Sequence, residues 1–328
     1  MSSAVKAGAP RRRPPLPAGR ILVEGVSCAL GAGLLWGLVF VVPLLLPDYP
    51  PAMLSLGRYL AFGVIALLLA WSDRPRLQAL QRQDWQMACE LALVGNLFYY
   101  LFLSAAIQLA DAPLPTMLIG TLPIVIAIVA NFSAEALPWR RLLPSLLVIA
   151  TGIALVNSHE MALLDDRRST QDYLLGTLFA LAAVFAWTWY PLRNSRWLQQ
   201  RPALASGTWA IAQGLATLPL ALLGMAAAGG YFHWQGGFDF PLGASSGRYI
   251  GLMLMLGFCA SWLGTLLWNR ASRLLPAALV GQLIVFESLA AFAYAFILRG
   301  SLPGSSALIG IALLVAGVIL GVRAFRGH

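Results

Sequence analysis

The chain has 328 residues, 59% hydrophobic and only 11% charged, with a formal charge of +9 and a mean hydropathy of +0.76. A water-soluble protein of this length does not carry so little charge, so the composition places the chain in a bilayer. The positive charge does not indicate a nucleic-acid partner, because the basic residues sit in short loops between apolar segments, where they set topology. Cys28, Cys89 and Cys259 all fall inside apolar segments, which excludes a disulfide or metal framework.

Residues 1–20 are rich in Pro, Gly and Arg and predict a disordered cytoplasmic tail. The apolar run that follows is too long for a signal peptide and has no obvious cleavage site. A helical span needs about 20 apolar residues. Ten segments qualify: 24–46, 51–72, 85–109, 112–132, 139–157, 173–198, 203–225, 249–275, 277–298 and 303–323. Asp48 to Pro51 and Asp111-Ala112 leave room only for tight helix hairpins. No strand-like alternation competes, and helices satisfy their own backbone polar groups in lipid. The predicted fold class is an all-α integral membrane protein with ten transmembrane helices.

Loop charge gives the orientation. With the N-terminus inside, 17 of the 22 basic residues lie in cytoplasmic loops and tails, leaving Arg167, Arg168, Arg248 and Arg299 outside and Arg58 within a helix. Both termini are therefore predicted to be cytoplasmic, in a bacterial inner membrane. The chain also repeats itself. An offset of 165 carries Ala106–Pro123 onto Ala271–Ser288 and Thr151-Gly152 onto Ala316-Gly317, and an offset of 151 carries Trp36 onto Trp187. The repeats are 21–158 and 173–323, joined by an extracytoplasmic linker, 159–172, and followed by a cytoplasmic tail, 324–328. Five helices is an odd number, so the second repeat crosses in the opposite sense. Such inverted repeats build a site near the midplane, reached alternately from either side.

These residues resemble the drug/metabolite transporter superfamily, in particular its ten-helix EamA-type exporters. The resemblance covers 24–323. It rests on Trp36-Gly37, Ala106 with the hairpin after it, Thr121-Leu122-Pro123, Glu135 and Thr151-Gly152, then on the Trp187 region, the 276–288 hairpin and Ala316-Gly317. Ser288 stands where a proline is usual and Gly300 where the second half often has Glu, which argues against a symmetric pair of kinked helices. The resemblance implies a basket of ten helices around a central cavity lined mainly by helices 1, 3, 4, 6, 8 and 9. In overall character the chain is most similar to the aromatic amino acid exporters of that superfamily.

Several side chains fit a cavity at that depth. Trp71, Trp85, Trp139 and Trp197 sit near span ends, where Trp belongs. Trp36, Tyr99, Tyr100, Trp187, Tyr190 and Trp262 instead fall near the centres of helices 1, 3, 6 and 8. A Trp N–H or Tyr O–H in mid-membrane needs a partner, which a wet cavity supplies; ordinary helix packing is the competing reading. Asn96 and Gln282 are the polar cavity candidates, against the alternative of plain interhelical hydrogen bonds. Three ionisable residues lie inside spans: Arg58, Glu90 and Glu287. Glu90 is close enough to the cytoplasmic end to snorkel. Arg58 either reaches Asp48 or binds a substrate carboxylate. Glu287, the most central, carries a proton, holds an ammonium, or ties helix 9 to a neighbour. Pro123 is the candidate for a kink that gates helix 4.

Absences narrow the function. Lys6 is the only lysine, so no span forms a retinal Schiff base, and His159, His233 and His328 lie outside the spans. No GxxxxGK[ST] loop for ATP is present, and no Ser/His/Asp grouping can meet in the membrane. The reading is a secondary transporter, not an enzyme, without cofactor or metal. Its partners are a small-molecule substrate, most simply an amino acid, and the lipid bilayer, with a monomer as the expected state. Aromatic and other bulky apolar amino acids are the first substrates expected. Other metabolites or lipophilic drugs are the alternative, and a non-transporting receptor is the rival class.

Overall fold

Away from water a backbone must satisfy its N–H and C=O groups within itself, and the Leu-, Ala- and Val-rich runs of this chain accordingly form helices. The computed structural model describes residues 18–110, 113–130, 132, 138–161, 169–300 and 304–326, and every regular element among them is helical. The first half comprises α1 (Ala18–Leu45), α2 (Pro51–Ala70), the short α3 (Arg74–Gln78), α4 (Arg82–Leu91), α5 (Tyr99–Ala110), α6 (Pro113–Gly120), α7 (Leu122–Ala130) and α8 (Trp139–Met161). The second comprises α9 (Thr170–Gln200), α10 (Ser206–Gln235), α11 (Ser246–Met255), α12 (Gly264–Leu274), α13 (Ala277–Leu283), α14 (Val285–Arg299) and α15 (Ser305–Arg326). Among the described residues, seven helical runs are long and apolar enough to cross a bilayer: Gly19–Pro43, Pro51–Ala70, Arg82–Ile107, Thr170–Gln200, Ser206–Gln235, Ser246–Leu274 and Leu279–Leu298.

Some helix ends move outward from their predicted positions. α1 begins at Ala18, inside the stretch expected to be disordered, and α10 continues to Gln235, well beyond the predicted 225. Residues 1–17, half of the predicted linker (162–168), Glu135 and Asp111 lie outside the described residues.

Two stretches depart from α-geometry. Ala92–Phe98 joins α4 to α5 as a π-helix, and Leu256–Leu263 joins α11 to α12 in the same way. Two helices are broken. α6 stops at Gly120 and α7 starts at Leu122, with the Thr121 hydroxyl donating to Leu118 O at 2.6 Å. Pro123 is the second residue of α7, where its missing N–H removes no helical bond. The other break is at Ile284, between α13 and α14, where Glu287 N donates to Ile284 O at 3.0 Å. The sequence argued against a matching second kink, because Ser288 replaces a proline. The chain bends there nonetheless, with a tightened turn taking the place of the proline.

Helices in lipid associate through close packing of small residues. The largest contacts join elements from different halves: α8 with α15, α2 with α10, α5 with α9, α1 with α14 and α12, and α7 with α13. Glycines set the closest of these. A Cβ at Gly33 would lie 3.0 Å from Glu287 N, and one at Gly37 2.7 Å from Ala290 Cβ, which brings α1 onto the backbone of α14. A Cβ at Gly317 would lie 2.6 Å from Ile149 Cγ1. Ser145 Oγ donates to Gly317 O at 2.9 Å, so the Gly152 and Gly317 motifs form the seam between α8 and α15. Polar ties close both ends of the bundle. At one, Tyr49 stacks on Tyr249 at 4.8 Å and its hydroxyl donates to Leu242 O at 2.6 Å. At the other, Arg201 pairs with Asp84 at 3.1 Å and Arg270 with Glu24.

Candidate binding site

Between the halves, α1, α5, α9 and α12 bring their aromatic residues together. Trp187 and Tyr190 are one turn apart on α9 and stack at 5.2 Å with an interplanar angle of 3°. Tyr99 of α5 stacks on Trp187 at 4.5 Å, Trp36 of α1 meets Trp187 edge-on at 5.1 Å, and Trp268 of α12 leans on Trp36 at 5.0 Å. All five are buried. The π-helical stretches make room for them. A Cβ at Gly95 would lie 2.1 Å from the Tyr190 ring, so only glycine admits that ring. Trp36 Nε1 donates to Ala260 O, in the second π-stretch, at 2.8 Å. Such stretches are rare and favour functional sites.

Polar groups border the rings. The Tyr190 hydroxyl donates to Gln213 Oε1 at 2.8 Å. Asn96 Nδ2 donates to Thr217 Oγ1 at 3.1 Å, and Thr217 Oγ1 donates to Gln213 O at 2.7 Å. Asn194 Oδ1 accepts from Trp209 Nε1 at 2.8 Å, while Asn194 Nδ2 donates to Asn269 Oδ1 at 2.8 Å. This network ties α9, α10 and α12 below the stack. The Tyr99 hydroxyl is buried without a hydrogen-bond partner.

Arg58 lies beside this group and not at Asp48, one of its two expected partners. Its Nε donates to Ser261 Oγ at 2.9 Å, and its guanidinium lies over the rings of Tyr59 and Tyr100, at 4.9 and 5.2 Å. Glu287 is buried on the first turn of α14, close enough to Trp187 and Arg58 for their polar groups to interact. A cavity of ≈ 170 Å³, lined by Val39, Pro43, Leu54, Leu103 and Ser104 among others, reaches Tyr100 from the Tyr49 end.

Trp36, Tyr99, Tyr100, Trp187, Tyr190 and Glu287 thus share one region, and Asn96 joins it through Thr217. Two predicted residues lie elsewhere. Trp262 packs on Phe258 at 5.2 Å, and Phe258 is 45% exposed. Gln282 is fully buried against α15, where its Oε1 occupies the space a Cβ on Gly321 would need. Glu90 is exposed and pairs with Arg193 at 3.4 Å. Sequence reading missed Trp268, Tyr59, Ser261 and Asn194. Trp268 is six residues past Trp262, which lies within the π-stretch, and it falls on α12 beyond the mid-depth positions that the sequence singled out.

Among the described residues, apolar helical spans around an aromatic, charged interior define a polytopic membrane protein. Residues 23–158 match the EamA-like transporter family. The inner membrane protein YtfF of Escherichia coli (strain K12) is 46% identical over 312 residues, covering 92% of this chain and 96% of that protein. The chain belongs to the EamA-like transporter family. A solved crystal structure of another protein, 17% identical, shares the fold with a TM-score of 0.71, covering 93% of this chain and 99% of the other.

Proposed function

We propose that this membrane transporter exports small organic solutes by alternating access, with aromatic and other bulky apolar amino acids as its first substrates. The observation that carries the proposal is the buried run of Tyr99, Trp187, Tyr190, Trp36 and Trp268, contributed by four elements from both halves. Flat rings with polar edges suit an amphipathic aromatic solute. In this reading the spans number ten, with α6–α7 forming one of them and α8 and α15 two more. The halves, 21–158 and 173–323, are inverted repeats. Three features support the repeat: the π-stretches at Ala92–Phe98 and Leu256–Leu263, the breaks at Thr121 and Ile284, and interchanged pairings, α1 on α12 and α14 against α9 on α5 and α7.

The broken α6–α7 segment is the mobile part, with Pro123 keeping its two pieces from fusing. Glu287 is the candidate for proton exchange, and a uniporter running down a solute gradient needs none. Loop charge puts both termini in the cytoplasm and the Tyr49 end outside. The name of its Escherichia coli relative supports an inner-membrane location. In this reading the transport unit is a monomer. A lipophilic solute is the second reading, favoured by an apolar groove of ≈ 620 Å³ lined by Leu56, Leu97, Phe98, Leu220 and Tyr231 among others.

A ligand that binds only the folded state raises its stability by mass action, about 2.7 kcal/mol at 100 times Kd. Thermal unfolding of the purified protein across an amino-acid panel tests the proposal. Tryptophan, phenylalanine and leucine raise Tm, and aspartate does not. A panel without any shift removes amino acids as substrates.

A further inference from the structure

Arg58 and Glu287 are both 6% exposed, carry opposite charges and do not meet. Arg58 donates to Ser261 and lies over Tyr59 and Tyr100, and it forms no ion pair among the described residues. Glu287 sits where α14 presses on Gly33 of α1, and no protein group forms an ion pair with it among the described residues. Tyr59 and Tyr99 each lie within electrostatic reach of both charges, and the charges within reach of each other. Opposite charges buried this close ordinarily join, because either one alone out of water is strongly disfavoured. Here Arg58 is held by Ser261 and lies over Tyr59 and Tyr100. Glu287 is within reach of the Trp187 side chain, Trp187 stacks on Tyr99 at 4.5 Å, and the Tyr99 hydroxyl is buried without a hydrogen-bond partner.

We infer that Arg58 and Glu287 are the two halves of a clamp for a zwitterion. The guanidinium of Arg58 takes a carboxylate, Glu287 takes an ammonium, and the Tyr99–Trp187 stack lies against the apolar side chain of the same ligand. The inference rests on the transport reading and narrows it to solutes that carry both charges. Selection works by omission. A solute with one charge leaves the opposite ion buried and unpaired, which rejects it more strongly than a poor apolar fit would.

Three probes sharing an indole ring test this on the purified protein in lipid nanodiscs: L-tryptophan with both charges, tryptamine with the ammonium only, and 3-indolepropionate with the carboxylate only. Each single-charge probe is expected to bind at least about tenfold more weakly than tryptophan. Arg58→Gln brings tryptamine to near parity with tryptophan, and Glu287→Gln does the same for 3-indolepropionate. If either variant does not fold, the ranking on the unaltered protein decides alone. Equal binding of all three probes overturns the clamp and leaves transport of aromatic solutes standing. Equal weakening of every probe by both substitutions also overturns it, since that marks a structural role. Binding of none overturns the clamp and the aromatic substrate reading together.

Discussion

At the residue scale, depth in the membrane is what makes a side chain informative. Trp and Tyr rest comfortably at the bilayer boundary, so rings in the middle of spans must be accommodated by something other than lipid. Trp187 is the clearest case: it touches Tyr99, Tyr190 and Trp36 at once. Trp187→Ala is expected to lower flux at least about tenfold, a loss of ~1.4 kcal/mol in transition-state or ligand binding. Its expression, read by immunoblot of membranes, stays near that of the unaltered protein. Unchanged flux would remove Trp187 from the site. Asn194 plays a different part, accepting from Trp209 and donating to Asn269 among fully buried neighbours. Interhelical hydrogen bonds in membranes average ~0.6 kcal/mol each, and an orphaned buried donor costs about 1–3 kcal/mol. Asn194→Ala should therefore lower Tm by several degrees, whereas Asn194→Gln should lower it less.

At the element scale, close helix contact follows from where glycine allows backbones to touch. Gly37 faces the Ala290 and Ala291 backbone, whereas Gly31 faces only the flexible end of Leu267, 3.1 Å from its Cβ position. Gly37→Val is expected to destabilise by about 1–3 kcal/mol through overpacking. Gly31→Ala should be nearly neutral, and comparison of the two melting curves checks the contrast. Helix positions were legible in the sequence because apolar runs of span length and the short turns between them leave little freedom. The local direction of helix faces was not. Depth in the span pointed to Trp262, near its centre, and passed over Trp268, which follows the π-stretch Leu256–Leu263. Gln282 looked central by depth, but it packs against α15 at Gly321. Arg58 was legible as a buried cation, but its partner Ser261 lies 203 residues on, beyond any local pattern.

At the scale of the whole molecule, contacts between halves outweigh contacts within them, and the candidate site lies in that interface. A site in such a position changes exposure when one half rocks against the other, and small packing changes are amplified because packed interfaces are bistable. The cavity at the Tyr49 end reaches Tyr100, while the Asn194–Asn269 network ties α9 to α12. The most direct test is flux of radiolabelled L-tryptophan into proteoliposomes preloaded with unlabelled tryptophan. The account predicts accumulation above that of empty liposomes, its loss in Trp187→Ala, and no such exchange for aspartate. Equal counts with and without the protein, at an orientation shown competent by ligand-dependent stabilisation, would contradict transport and favour a receptor.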